Sequence, residues 1–208
     1  MVISSNSQRL IYNAAMRIYA ESGPAQVNIK DLAQAAGVAR GTVYNNVPDT
    51  SILFTDIVSD LALEMNERVI QSFGDCANPA VRLAIGMRLY VRRAHDEPLW
   101  GRFLVRYGFS DTGLQHLWNG QPLADLEAGI ACGCYRIEVE QLASAVSLVA
   151  GATMGAIYTV LDGMKTWREA GSNAAEFTLS GLGVERDEAR RIASSELPDL
   201  AELSDGDK

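Results

Sequence analysis

Residues Asn28 to Val47, reading NIKDLAQAAGVARGTVYNNV, hold this chain to a narrow choice of folds. The stretch predicts a short helix over Ile29 to Ala36, with Asn28 as its N-cap and Gly37 in the C′ position. A second short helix runs from about Arg40 to Val47 and stops at Pro48. Leu32 and Ala36 on the first helix face Val38 in the turn and Val43 and Val47 on the second helix. Two short helices joined by a tight glycine turn make a helix-turn-helix. The outer face of the second helix offers Arg40, Gly41, Thr42, Tyr44 and Asn45. These are donors, acceptors and one small residue, suited to phosphates and base edges in a major groove. The same pattern fits an ordinary helical hairpin, and by pattern alone both readings stand.

The rest of the chain extends the helical theme. Alternating apolar and polar runs are missing, while the 3.6-residue period recurs. Leu10, Ile11, Ala14, Ala15, Ile18 and Tyr19 form a stripe on a first helix that ends at Gly23 and Pro24. A long helix is expected over about Thr50 to Ser72. Asn78 with Pro79, and then Pro98, open two more helices, to about Ala94 and Phe109. Leu114 to Ile130 reads as helical with an interruption at Gly120 and Pro122. One long helix is expected from Val139 to Trp167 or Ala170, then short helices near Ala174 to Leu182 and Asp187 to Ser195. The acidic tail after Pro198 is expected to fray. The fold class is therefore all-α: a helix-turn-helix domain over residues 1–50 and a larger helical body over 51–208.

The strings IYNAAMRIYAESG and IKDLAQAAGVARGTVYNNVPD resemble the N-terminal domain of TetR-family (tetracycline-repressor-like) regulators. The match covers about residues 8 to 60. The turn at Gly37-Val38 and the string Gly41-Thr42-Val43-Tyr44 fall in register. The resemblance implies a homodimeric transcriptional repressor whose C-terminal body binds a small effector and then releases a palindromic operator. Carried over by residue, Arg40, Gly41 and Asn45 would face bases, while Thr42, Tyr44 and Asn28 would contact the backbone of double-stranded DNA. Two positions depart from the family's habit. Ala39 stands where Ser or Thr usually caps the recognition helix. Thr50 stands where a phosphate-contacting Lys is usual. These departures keep a second reading in play, a dimeric small-molecule-binding module with weak or lost specific DNA binding.

Charge tests that resemblance. The net charge of −8 and pI near 4.8 run against a DNA binder taken as a whole. Residues 1–50, however, hold four basic groups (Arg9, Arg17, Lys30, Arg40) against three acidic ones (Glu21, Asp31, Asp49). Negative charge is thus concentrated in the body, which leaves DNA binding possible but modest.

In the body, Tyr90, Trp100, Phe103, Tyr107 and Trp118, with Met65 and Met87, suit either core packing or an apolar cavity between helices. Arg88 and Arg92 lie on the stripe of the helix opened by Pro79. They fit either paired, snorkelling side chains or the anchor of an anionic ligand group. Gln141 to Leu161 runs 21 residues without a charge, long enough to span a bilayer. It carries Ser, Thr and Gly residues and lacks flanking Lys/Arg and aromatic belts, so a helix buried among protein helices is expected, and no membrane partner. As the resemblance implies, Val146, Val149, Gly151, Ala152, Gly155, Ala156, Phe177 and Leu179 would form a four-helix dimer interface, the small residues permitting close approach.

Cys132-Gly-Cys134 lacks further ligands at metal spacing, and with Cys76 the odd cysteine count suits reduced thiols in a cytoplasmic protein. The polar Met1 to Gln8 lacks the apolar region of a signal peptide. No nucleophile elbow, phosphate-binding loop or dinucleotide fingerprint is present, so no catalytic residue, metal or cofactor is expected.

Overall fold

The computed structural model describes residues 6–23, 27–47 and 49–203, Ser51 by its backbone only. Pro24 and Pro48, expected helix breakers, lie outside the described residues. The described residues form helices and connecting turns, with no strand. In chain order the helices are α1 (Asn6–Ser22), α2 (Ile29–Ala36), α3 (Arg40–Asn46), α4 (Thr50–Ser72), α5 (Pro79–Asp96) and α6 (Pro98–Tyr107). Then come α7 (His116–Asn119), α8 (Gln121–Ala131), α9 (Leu142–Leu161), α10 (Trp167–Gly181) and α11 (Arg186–Ala193).

Local signals set most of these boundaries. Asn28 caps α2 by accepting from the Asp31 backbone N–H at 3.0 Å. Gly37 takes the left-handed conformation (φ 67°) that turns the chain into α3. Asn78 accepts from the Ala80 and Val81 N–H groups ahead of Pro79 and so opens α5. The single helix expected from Val139 onward is instead two. Gly163 adopts φ 71° after α9, and Thr166 with Glu169 forms a capping box that starts α10 afresh at Trp167.

α1 buries Ile11, Tyr12, Ala14, Ala15, Met16 and Tyr19, whereas Leu10 turns outward. That face packs on α2, α3, α4 and α6. In the body, α5 lies at the centre against α6, α8, α9, α10 and α11. Its sequence matches that position: twelve of its eighteen residues are buried, including Leu83, Ala84, Leu89, Val91 and Ala94. Among the described residues, one helical stretch, Val139–Leu161, which contains α9, is long and apolar enough to cross a bilayer by composition. One face of α9 packs on α5, α6, α8 and α10.

Two expectations are corrected here. The tail does not fray at Pro198: Asp199 pairs with Arg92 at 2.9 Å, the Ala201 N–H donates to the Ser72 hydroxyl, and the Ala201 carbonyl accepts from Arg68 Nε. Cys132 and Cys134 are joined as a disulfide across the turn at Gly133, with Cα atoms 5.5 Å apart, and Cys76 remains a free thiol. The odd cysteine count said nothing about this local pair.

Candidate nucleic-acid interface and ligand cavity

The two helices of the N-terminal module are fastened by burial on one side and left open on the other. Leu32, Ala33, Ala36, Val43 and Val47 are buried between α1, α2 and α3. Arg40, Gly41, Tyr44 and Asn45 are exposed on α3, Thr42 is half-buried beside them, and Asn28 is exposed at the start of α2. Tyr44 is the telling member. An aromatic ring 59% exposed on a short helix gains little from the chain's own core. Gly41 is equally suggestive, because a Cβ there would meet nothing within 4 Å. Space inside the protein therefore does not require glycine at this position. As the sequence suggests, Ala39 supplies no side-chain cap to α3. Asn28 spends part of its amide on Asp31, donating to the carboxylate at 2.6 Å.

The module is held to the body at two places. Tyr12 on α1 donates to the Ile57 carbonyl on α4 at 3.0 Å. Burial, reinforced by Asp60 and Glu64, pushes the Tyr12 phenol well above its ordinary range and keeps it a donor. On the other side, Tyr107 on α6 donates to the Tyr19 carbonyl at 2.7 Å, and Arg106 donates to the Ala20 carbonyl at 2.7 Å. Phe54 of α4 sits between these elements, with ring centroids 5.0–5.8 Å from Tyr19, Phe103 and Tyr107.

Within the body, a narrow cavity of about 20 Å³ opens between α4, α5, α8 and α9. That is close to the space one water occupies. α4 contributes Asn66, Val69 and Phe73, and α5 contributes Arg82, Leu83, Gly86, Met87 and Tyr90. Trp118, Gln121, Pro122 and Asp125 form the next wall, with Val149 and Thr153 of α9 closing it. The lining is mostly apolar, with one buried ion pair. Asp125 Oδ1 accepts from Arg82 Nε at 2.7 Å and Gln121 Nε2 at 3.0 Å, and lies 2.6 Å from the second Arg82 nitrogen. Desolvation raises the Asp125 carboxyl, with the Arg82 guanidinium working against that rise. α8 is fixed from behind by Tyr135, whose ring leaves no room for a side chain at Gly129.

Of the ligand candidates read from the sequence, Met87, Tyr90 and Trp118 line this cavity. The others lie elsewhere. Met65 is fully buried and meets Arg93 through its sulfur. Trp100 lies under the Arg93 guanidinium, 4.7 Å from its ring centroid, and Phe103 and Tyr107 belong to the aromatic cluster around Phe54. Arg88 is buried behind α10 and donates to the Ser195 carbonyl at 2.8 Å. Burial lowers its pKa, and its second terminal nitrogen has no partner among the described residues. Arg92 is engaged by Asp199 and stacks over Trp167. Sequence reading missed Arg82 and Asp125, because nothing local couples a helix start to an acid 43 residues later.

The dimer candidates also divide. Val149, Ala156 and Leu179 are buried in the core of the single chain. Val146 and Ala152 are half-buried. Gly151, Gly155 and Phe177 are exposed, with Phe177 at 69%. Leu148 and Tyr158, not anticipated, complete an exposed stripe with the two glycines at spacings of three and four along α9.

Comparison with known proteins gives a consistent picture. A model of the tetracyclin repressor-like C-terminal domain matches residues 78–195, and a model of bacterial regulatory proteins of the tetR family matches residues 11–46. An uncharacterized HTH-type transcriptional regulator of Mycobacterium tuberculosis is 27% identical over 88 residues, 42% of this chain. That match spans 44% of the relative's length. RolR in complex with resorcinol is similar over 94% of this chain and 96% of its own, at 26% identity and TM-score 0.69. RolR without ligand gives 26% identity and TM-score 0.66 over 93% of this chain and 100% of its own. A tetR family transcription regulator from Shewanella sp. PV-4 shares the fold at TM-score 0.72, with 16% identity, covering 86% of this chain and 98% of its own.

Proposed function

The chain belongs to the tetracycline-repressor-like family of bacterial transcription regulators, and from that premise we propose a homodimeric repressor of a palindromic operator. In this reading a small, largely apolar effector enters the body cavity and releases the DNA. Residues 1–50 serve as the DNA-binding domain and 51–208 as the body. Arg40, Gly41 and Asn45 face bases, while Asn28, Thr42 and Tyr44 hold phosphates. A two-fold dimer sets its recognition helices roughly 34–36 Å apart, one turn of B-DNA.

One observation carries the reading: α4 runs from the end of the helix-turn-helix to the cavity. It begins at Thr50, shortly after the recognition helix, and its far half walls the cavity through Asn66, Val69 and Phe73. The cavity holds little more than a water, so a ring-sized effector has to push its walls apart. A ligand shifts an equilibrium only through a difference in affinity between two states. Here the difference is the widened cleft, which favours a displaced α4. With α6 holding α1 in place, that displacement turns the module and changes the spacing of the two recognition helices. RolR, known in forms with and without resorcinol, supports a body that takes a small molecule.

The exposed stripe Leu148, Gly151, Gly155 and Tyr158, with Phe177 beside it, supports the dimer. A Cβ at either glycine would meet nothing within 4 Å in the protomer, so their small size fits the approach of a second copy.

Titration of the purified protein with its own upstream DNA, with and without effector, tests the scheme. The coupling must be reciprocal, so operator weakens effector binding by the factor by which effector weakens operator binding. Equal effector affinity with and without operator removes the allosteric account. The uncapped Ala39 favours the second reading, a ligand-binding module with weak DNA affinity. Tight effector binding combined with DNA binding that is non-specific and erased by salt would select it.

A further inference from the structure

The polar atoms left over in the cavity describe the chemistry of its occupant. This inference rests on reading the cavity between α4, α5, α8 and α9 as the effector site. Tyr90 is 4% exposed and lines the cavity, and its hydroxyl has no partner among the described residues. A buried hydroxyl without a partner is costly and calls for one. Asp125 is 1% exposed, and the bonds from Arg82 and Gln121 all end on Oδ1, which leaves the lone pairs of Oδ2.

Arg82, by contrast, is already engaged. Its Nε and one terminal nitrogen go to Asp125, and the other terminal nitrogen donates to the Cys76 and Ala77 carbonyls. Beside the amides of Asn66 and Gln121, the cavity lining therefore presents a carboxylate acceptor and a buried hydroxyl, and Arg82, the one cation among its described lining residues, is spent. Apolar surface from Val69, Phe73, Met87 and Trp118 surrounds them.

We infer that the effector is a neutral, single-ring aromatic compound carrying two hydroxyl groups. One hydroxyl donates to Asp125 Oδ2 and the other pairs with the Tyr90 hydroxyl, while the ring lies against Phe73, Met87 and Trp118. An aromatic or fatty carboxylate would bring a second negative charge toward Asp125 with no free cation to receive it. A purely apolar ring would fill the cleft and leave both buried polar groups unmet. Burial keeps the Tyr90 phenol protonated, so it both donates and accepts at neutral pH.

The test is calorimetric titration of the full-length protein with the three dihydroxybenzene isomers, phenol, benzoate and octanoate. At least one dihydroxybenzene should bind roughly tenfold or more tighter than phenol, the factor one hydrogen bond supplies. Benzoate and octanoate should not compete with it. Tyr90→Phe removes a single oxygen from a buried ring, and should lower that affinity roughly tenfold while leaving phenol within about threefold. Benzoate or octanoate binding as tightly as the best diol would overturn the chemical class, as would an unchanged preference in Tyr90→Phe or no binding of any diol. Gly86→Leu, which fills the cleft next to Val69, separates the two levels of the claim. If the diol binds a folded Gly86→Leu protein undiminished, the cavity is not the effector site, whatever the ligand's chemistry.

Discussion

The hydroxyl of Tyr107, on α6, donates a 2.7 Å hydrogen bond to the backbone carbonyl of Tyr19, on α1, across 88 residues of chain. This bond joins the body to the DNA-binding module beside Phe54 of α4, whose ring packs against both tyrosines. Burial pushes the Tyr19 phenol up to about 12 and raises that of Tyr107 as well, so both rings stay neutral. The module is thus attached through α6 as well as through α4, and the proposed mechanism keeps the α6 contact fixed while α4 moves. Tyr107→Phe keeps the ring and removes the bond, so stability should fall by about 1 kcal/mol in chemical denaturation. Operator affinity without effector should change little, while the drop in affinity on adding effector should shrink. An unchanged drop would show that the α6–α1 bond is not the fulcrum.

Gly41 separates folding from DNA recognition. It lies within α3 and a Cβ there has open space, so Gly41→Ala should leave stability unchanged or raise it by up to about 1 kcal/mol. The added methyl stands on the face proposed to meet base edges, and operator affinity should fall at least roughly tenfold. Melting temperature and operator titration, measured on one preparation, check both halves.

The Arg82–Asp125 pair makes a prediction with a definite sign in pH. Arg82→Met strands a carboxylate that is 1% exposed, which should cost about 3 kcal/mol near pH 7. Burial already raises the Asp125 carboxyl above its ordinary range, and loss of the guanidinium raises it further. A raised carboxyl binds its proton more tightly in the folded state than in the unfolded one. Its contribution therefore favours folding at low pH and is lost as pH climbs from the unfolded value through the folded one. The deficit of Arg82→Met relative to the native protein should accordingly narrow as pH falls. Denaturation midpoints compared at about pH 5 and about pH 7.5 provide the check, and a deficit that widens toward acid would contradict it.

Gly155→Leu adds a side chain where the protomer leaves open space. Helix content and the melt of the isolated protomer should survive, while the sedimenting mass should drop from dimer to monomer. A stable dimer carrying Gly155→Leu would move the interface off α9.

Much of the N-terminal module could be read from sequence because its determinants are local. Asn28 caps its own helix, Gly37 turns its own chain, and the burial of Leu32, Val43 and Val47 follows from spacing alone. The break between α9 and α10 was equally local, since Thr166 and Glu169 spell a capping box, yet the long uncharged run masked it. The cavity was a different matter. Residue type pointed to aromatic and methionine side chains in the body, and the core uses the same types. Met87, Tyr90 and Trp118 reach the cavity, while Trp100, Phe103 and Tyr107 are buried elsewhere in the core. Arg82 and Asp125 meet only because α5 and α8 pack together, a long-range relation that no short window of sequence contains. Arg88 shows the same limit: an arginine on an apolar stripe suggested either pairing or a ligand anchor, and its observed partner, the Ser195 carbonyl, lies beyond the end of α11.

The central claim is sequence-specific binding of DNA by a two-fold dimer, and selection of bound duplexes from a random pool tests it most directly. The account predicts enrichment of an inverted repeat whose half-site centres lie about 10 base pairs, or a multiple of that, apart. The enrichment should disappear when the selection is repeated with Gly41→Ala. A pool that yields no enriched sequence at low salt, or a single unrepeated half-site, would contradict it.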